Sequence, residues 1–221
     1  MNSERLRIGV LLFAALIVSL SVHEAAHAFS AYLLGDDTAK RQGRLTLNPL
    51  AHLDQLGTIM IAMMAFYGMG IGWAKPVPVD PLRLRPQRWA MGLVSLAGPF
   101  SNWIQACLAY WVMTFVPSTP GAGWDLLYAF CHAMVQVNVS LAAFNLLPFY
   151  PLDGQKVLST LLPMRWSRHF DFYCVRLGAW PLLLVIGWEW MFPFPGPLSW
   201  VLGPVANGLA SWVEKTAFWM S

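Results

Sequence analysis

The stretch SLSVHEAAHAFSAYLLG, residues 19–35, closes an apolar run that begins at Leu6. A segment built for lipid has no ordinary use for His23, Glu24 and His27, because each ionisable group placed in a bilayer costs about 3 kcal/mol. Something must offset that cost. On a helix, positions i and i+4 share a face, so His23 and His27 can grip one metal ion. Glu24 lies beside them, where it can reach a water held by the metal. Zinc lowers the pKa of such a water to about 7, and a carboxylate can take its proton as the water attacks a carbonyl. The spacing H-E-x-x-H thus supplies two ligands and a general base.

Composition agrees with a membrane setting. Of 221 residues, 57% are hydrophobic and 11% charged, against about 25% charged in soluble domains. Mean hydropathy is +0.51. The 12 Trp and 13 Phe suit rings placed at membrane–water interfaces. These values predict an all-α polytopic membrane protein, with residues 1–221 forming one membrane-embedded domain. The net charge of +3 lies in loops, so it reads as a topology signal; no nucleic-acid partner is expected. Cys107, Cys131 and Cys174 are far apart and form no C-x-x-C pair, which argues against a thiolate zinc site and for small buried hydrophobes. The first run is too long for a signal peptide and reads as a span.

Five runs reach the roughly 20 residues that a crossing needs. They lie near 6–34, 91–117, 124–148, 173–192 and 197–218, the last interrupted by LGPVANG. A sixth, LGTIMIAMMAFYGMGIG over 56–72, is shorter and dotted with glycines, so it reads as a re-entrant segment or a sixth span. In GWAKPVPV, residues 72–79, alternating prolines exclude a continuous helix and suit a short extended edge or hairpin. The catalytic core is expected over about 6–160, with further membrane helices over about 173–218.

A catalytic zinc needs a third protein ligand. The candidates are His52, Asp54, His132, His169, Asp125, Asp153 and Asp171. Asp153 stands out in FNLLPFYPLDGQKVL. Pro148 and Pro151 break the helix there, and Gly154 permits a sharp turn, so the carboxylate can point back into the bundle. His52 and Asp54, in NPLAHLDQLG, are candidates for groups near the site that orient a ligand imidazole. Gly98, Pro99 and Asn102, in LAGPFSN, read as aids to close helix packing.

The pairing of HEAAH with NLLPFYPLDG resembles the site-2 protease family of intramembrane zinc metalloproteases. GDDTAKRQGRLTLNPLAHLDQLGT, GWAKPVPV and LAGPFSN extend the likeness to the compact prokaryotic branch without a PDZ domain, over about residues 19–160. The resemblance implies one Zn2+ per chain held by His23, His27 and Asp153, with Glu24 as catalytic base. It implies that Asn145 positions substrate or stabilises the oxyanion. Gly72, Trp73 and Pro76 are expected along a substrate-pairing segment. Gln55 stands where that branch usually has proline, and Phe149-Tyr150 replaces a usual Ile-Pro, departures that bear on substrate fit rather than chemistry. The implied activity is endopeptidase cleavage in or near the transmembrane segment of a membrane-protein substrate, in regulated intramembrane proteolysis or signal-peptide remnant clearance. A metal-binding transporter and an inactive membrane scaffold are the alternatives.

Depth constrains the topology. His23 and His27 come late in the first run and Asp153 just past the 124–148 run. To share one ion they must lie at one depth, so those two helices run in the same direction and 56–72 does not cross. Twelve of the 14 Lys and Arg, counting Arg176 and Lys215, then fall on one side. The expected location is a prokaryotic inner or plasma membrane, with the active site toward the cytoplasm.

Overall fold

The computed structural model describes residues 3–116, 122–192, 196, 199, 200, 203, 204, 207, 208 and 211; most of the expected 197–218 run lies outside them. Among the described residues all regular structure is helical. The helices are α1 (Ser3–Leu33), α2 (Thr38–Arg41), α3 (Gln55–Tyr67), α4 (Gln87–Thr114), α5 (Ala122–Asn145), α6 (Asp153–Leu161), α7 (Met164–Leu177) and α8 (Trp180–Met191), with a 3-10 turn at Pro49–Ala51.

α1 and α5 are long and apolar enough to cross a membrane, and α7 with α8 would make a third span only if the 67° bend between them is counted through. The expectation of five to six spans exceeds this number. α4 has the length, at 28 residues. Its central turns, however, carry Ser95, Gly98, Pro99, Ser101, Asn102 and Gln105, which lower its apolarity. That polarity is spent inside the protein, since Ser95 and Asn102 are buried. The run at 173–192 is not one helix either: it breaks at Gly178, whose φ is +58°.

α3 has 13 residues, or about 20 Å of helix, well short of a hydrocarbon core of about 30 Å. Its ends are set locally. The Asp54 carboxylate caps the N-terminus by accepting from Gly57 N at 2.8 Å, and Gly68, at φ +69°, ends it in the left-handed region. No hairpin forms after it among the described residues. A single antiparallel bridge joins Leu53 to Ala74, and the chain then runs on as an extended strap through residues 75–79. Pro76 and Pro78 remove the N–H groups that a ladder would need.

α4 is the centre of the bundle and packs on α1, α5 and α6. Small and medium side chains make the seams, with Ala15, Leu16, Leu20, Ile61, Ala133, Met134 and Val137 in the largest cluster. The order of contacts gives the directions. Ser19, His23 and His27 of α1 meet Gln105, Asn102 and Val94 of α4 respectively, so those helices are antiparallel. Ser19 meets Asn138 of α5, and His23 meets Asp153 beyond its end, so α1 and α5 run parallel.

Candidate metal centre

The parallel pair brings the late turns of α1 level with the N-terminus of α6. His23 and His27 sit one turn apart on the buried face of α1, and Asp153 opens α6. The chain between α5 and α6 folds back so closely that a side chain at residue 154 would overlap the Leu146 and Leu147 carbonyls; only Gly154 fits there. That tight return carries the Asp153 carboxylate back under the bundle.

Three ligand-type atoms converge. His23 Nε2 and His27 Nε2 lie 3.0 Å apart, and each is 3.2 Å from the same Asp153 Oδ2. All three residues are largely shielded from solvent. Ligands held tetrahedrally at about 2.0–2.1 Å from zinc stand about 3.3 Å from one another, close to these edges. The Nδ1 atom of His27 lies 2.7 Å from the Val94 carbonyl. A carbonyl only accepts, so Nδ1 carries the hydrogen and Nε2 presents a lone pair. His23 Nδ1 faces Asn102 Oδ1 at 2.5 Å, which gives it the same tautomer. Two lone pairs and a carboxylate oxygen thus face one point. A proton could bridge one edge of this triangle; a divalent cation at its centre satisfies all three. The donor set fits zinc.

Gly98 of α4 covers the centre. A Cβ there would overlap the Nε2 atoms of both histidines. Pro99 follows it and has no N–H for the Ser95 carbonyl, so the helix is one rung short beside the site. A cavity of about 150 Å³ opens next to the triangle, bordered by Glu24, Pro76, Val77, Asn145 and Lys156 among others. That volume admits several waters.

Glu24 Oε2 accepts from the Val77 N–H of the strap at 2.9 Å. Arg44, buried and without an acidic partner among its described contacts, donates to the strap carbonyls of Lys75 at 2.5 Å and Pro76 at 3.3 Å. Asn145 borders the cavity, and its Nδ2 donates to the Leu141 carbonyl at 3.0 Å.

The remaining expected site residues lie elsewhere. Gly72 packs against Ile61 of α3, and Trp73, 41% exposed, does not border the cavity. His52 is fully buried but donates from Nε2 to the Thr46 carbonyl at 2.8 Å, while its own carbonyl accepts from Lys75 N at 2.7 Å. It pins the strap to the preceding loop rather than touching a ligand imidazole. Asp54 is the α3 cap. Asn102, read from sequence as a packing residue, contacts His23 directly. Val77 and Lys156 were missed, although both leave signals: Val77 is the one N–H between two prolines, and Lys156 lies one helical turn after Asp153.

Comparison with known proteins bears on this geometry. The model of Peptidase family M50 matches residues 120–184, which include the return to Asp153. Several relatives bear the name "Putative zinc metalloprotease". YwhC of Bacillus subtilis (strain 168) is 44% identical over 78% of this chain and 85% of its own. Rip2 of Mycolicibacterium smegmatis (strain ATCC 700084 / mc(2)155) is 28% identical over 95% of this chain and 81% of its own. Stage IV sporulation protein FB of Bacillus subtilis (strain 168) is 26% identical over 77% of this chain and 60% of its own. No solved structure gives a significant match. With a metal-ready triangle beside a glutamate, and a relative of this identity aligned along most of both chains, the chain belongs to peptidase family M50.

Proposed function

We propose that the chain is an intramembrane zinc metalloendopeptidase that cuts a membrane-protein substrate in or near a transmembrane segment. It would act as a single membrane-embedded domain over residues 1–221. Release of a membrane-anchored regulator and clearance of signal-peptide remnants are the uses that suit this chemistry. The observation that carries the reading is the convergence of His23, His27 and Asp153 on one point beside Glu24, at the level of a spanning helix.

In this reading His23, His27 and Asp153 hold zinc, and Glu24 is the general base. Bound zinc supplies a Lewis acid that acidifies water and polarises a carbonyl. The chain's own groups do the rest. The Val77 N–H holds Glu24 Oε2 and so orients the carboxylate, leaving Oε1 to take a proton and later return it to the leaving amine. Asn145 spends one amide hydrogen on Leu141; the other is available to a substrate carbonyl. Pro76 and Val77 border the cavity, so a locally unwound substrate would lie along the strap. The basic loops over 35–90 and 149–172 flank the site, which favours the cytoplasmic side of a prokaryotic inner or plasma membrane.

The test pairs metal content with cleavage. Detergent-purified protein is expected to hold about one zinc per chain by elemental mass spectrometry. His23→Ala and Asp153→Ala should lose it. Glu24→Gln should keep the zinc while cleavage of membrane-anchored reporter substrates falls ~10²–10⁴-fold. Full zinc retention in Asp153→Ala would remove it from the ligand set. Undiminished cleavage by Glu24→Gln would remove the base.

A further inference from the structure

Three buried polar side chains lie behind the metal centre, at the seam where α1, α4 and α5 meet. Ser19, Asn102 and Asn138 are all 0% exposed. Asn102 Nδ2 donates to Asn138 Oδ1 at 2.7 Å. Asn138 Nδ2 donates to the Met134 carbonyl at 2.9 Å and to Ser19 Oγ at 2.8 Å. Buried amides whose oxygen and nitrogen are both partnered are expected to hold one orientation, because a flipped amide leaves unpaired polar atoms at about 1–3 kcal/mol each.

The polarity of the whole chain follows from its far end. The Met134 carbonyl can only accept, so the NH2 of Asn138 must face it. Asn138 therefore turns its oxygen to Asn102. Asn102 must answer with its NH2, which turns its own oxygen to His23. Only Nδ1–H of His23 can meet that oxygen, and Nε2 is left as the lone pair. His27 needs no such chain, because the Val94 carbonyl fixes it directly.

We propose that Asn102 and Asn138 are positioning residues: a relay from the Met134 carbonyl through both amides holds His23 in the one tautomer that can bind metal. The proposal rests on the metal-site reading above. Asn138 touches neither the metal centre nor its cavity and acts only through Asn102.

The relay makes predictions that packing alone does not. Asn102→Leu should weaken zinc binding about 10–100-fold in chelator competition. Asn138→Leu should weaken it in the same direction, because the Asn102 amide is then free to flip. The two act in series, so the double variant should lose no more than Asn102→Leu alone. Asn138→Asp should restore binding, since a carboxyl group presents an acceptor to Asn102 in either protonation state. Spectra of zinc-loaded protein with 15N-labelled histidine supply an internal control: Asn138→Leu should shift or broaden the His23 ring N–H signal and leave that of His27 in place. Multiplicative losses in the double variant, equal movement of both histidine signals, or no rescue by Asn138→Asp would each overturn the relay. A wild-type protein that binds no zinc would instead overturn the metal-site reading, so the two failures are distinct. If Asn138→Leu does not fold, the comparison of Asn102→Leu with Asn138→Asp still decides: equal loss in both refutes the proposal.

Discussion

Adding one methyl group at Gly98 should weaken zinc binding by orders of magnitude. An Ala side chain there would place its Cβ 2.5 Å from His23 Nε2 and closer still to His27 Nε2. Non-bonded carbon and nitrogen normally stay about 3.5 Å apart, so helix and imidazoles must separate by about 1 Å. Metal–ligand distances tolerate only about 0.2 Å, and at least one histidine is lost as a ligand. Zinc binding by four-ligand structural sites is worth about 10–16 kcal/mol, or about 2.5–4 kcal/mol per ligand. The expected loss in affinity is therefore about 10²–10³-fold per histidine displaced. Helix propensity works in the opposite direction, favouring Ala over Gly by about 1 kcal/mol, so the loss must come from the site. The assay is zinc competition with a chromogenic chelator in detergent, beside Gly123→Ala, where a Cβ would meet nothing within 4 Å. Wild-type affinity in Gly98→Ala would refute the placement of α4 over the histidines.

Other perturbations probe the surrounding frame. Gly154→Ala should displace Asp153 by forcing the Leu146 and Leu147 carbonyls away, destabilising the protein by about 1–3 kcal/mol and lowering zinc content; unchanged thermal stability and zinc would contradict the tight return. Arg44→Met should release the strap carbonyls and loosen the Val77 hold on Glu24, lowering kcat/KM about tenfold with zinc content unchanged; full activity would show that the strap needs no clamp. Burial alone would raise the Asp36 pKa, but hydrogen bonds from the Thr38 hydroxyl and the Asp80 and Thr38 N–H groups outweigh it and hold the carboxyl below its usual range. Its folded pKa is thus below its unfolded value of about 3.9, so its stabilisation is present above that pH and lost as pH falls through the folded pKa. Asp36→Asn should therefore be less stable at neutral pH yet lose less on acidification below about pH 4; parallel melting curves for both proteins would refute the assignment.

Some of this organisation is legible in residues 19–35 and 145–154 because its cause is local. A spacing of four on a helix puts two imidazoles together whatever surrounds them, and prolines with a glycine break a helix wherever they fall. Long-range pairings leave no such mark. Asn138 sits in an apolar run, and only the approach of α1 and α4 brings Ser19 and Asn102 to its amide. His52 and Asp54 are chemically suited to a metal shell, yet one pins a loop and the other caps α3. Apolarity alone does not mark α4 as α1 and α5 are marked, because a helix walled in by others can carry polar groups that lipid would reject. In the strap the prolines exclude a helix, and none forms there, but they do not tell that its remaining N–H would be spent on a glutamate 53 residues earlier.

The parallel run of α1 and α5 has a consequence for the order of synthesis. The two imidazoles come early in the chain, and the carboxylate that completes the triangle follows about 125 residues later. A nascent chain that has delivered α1 and α4 holds both histidines and Glu24 but lacks Asp153. Only when α5 has joined α1 and the chain has doubled back through Gly154 does the third donor arrive. The half-made protein thus lacks a complete ligand set, and its capacity to hold a metal arrives late, with α6.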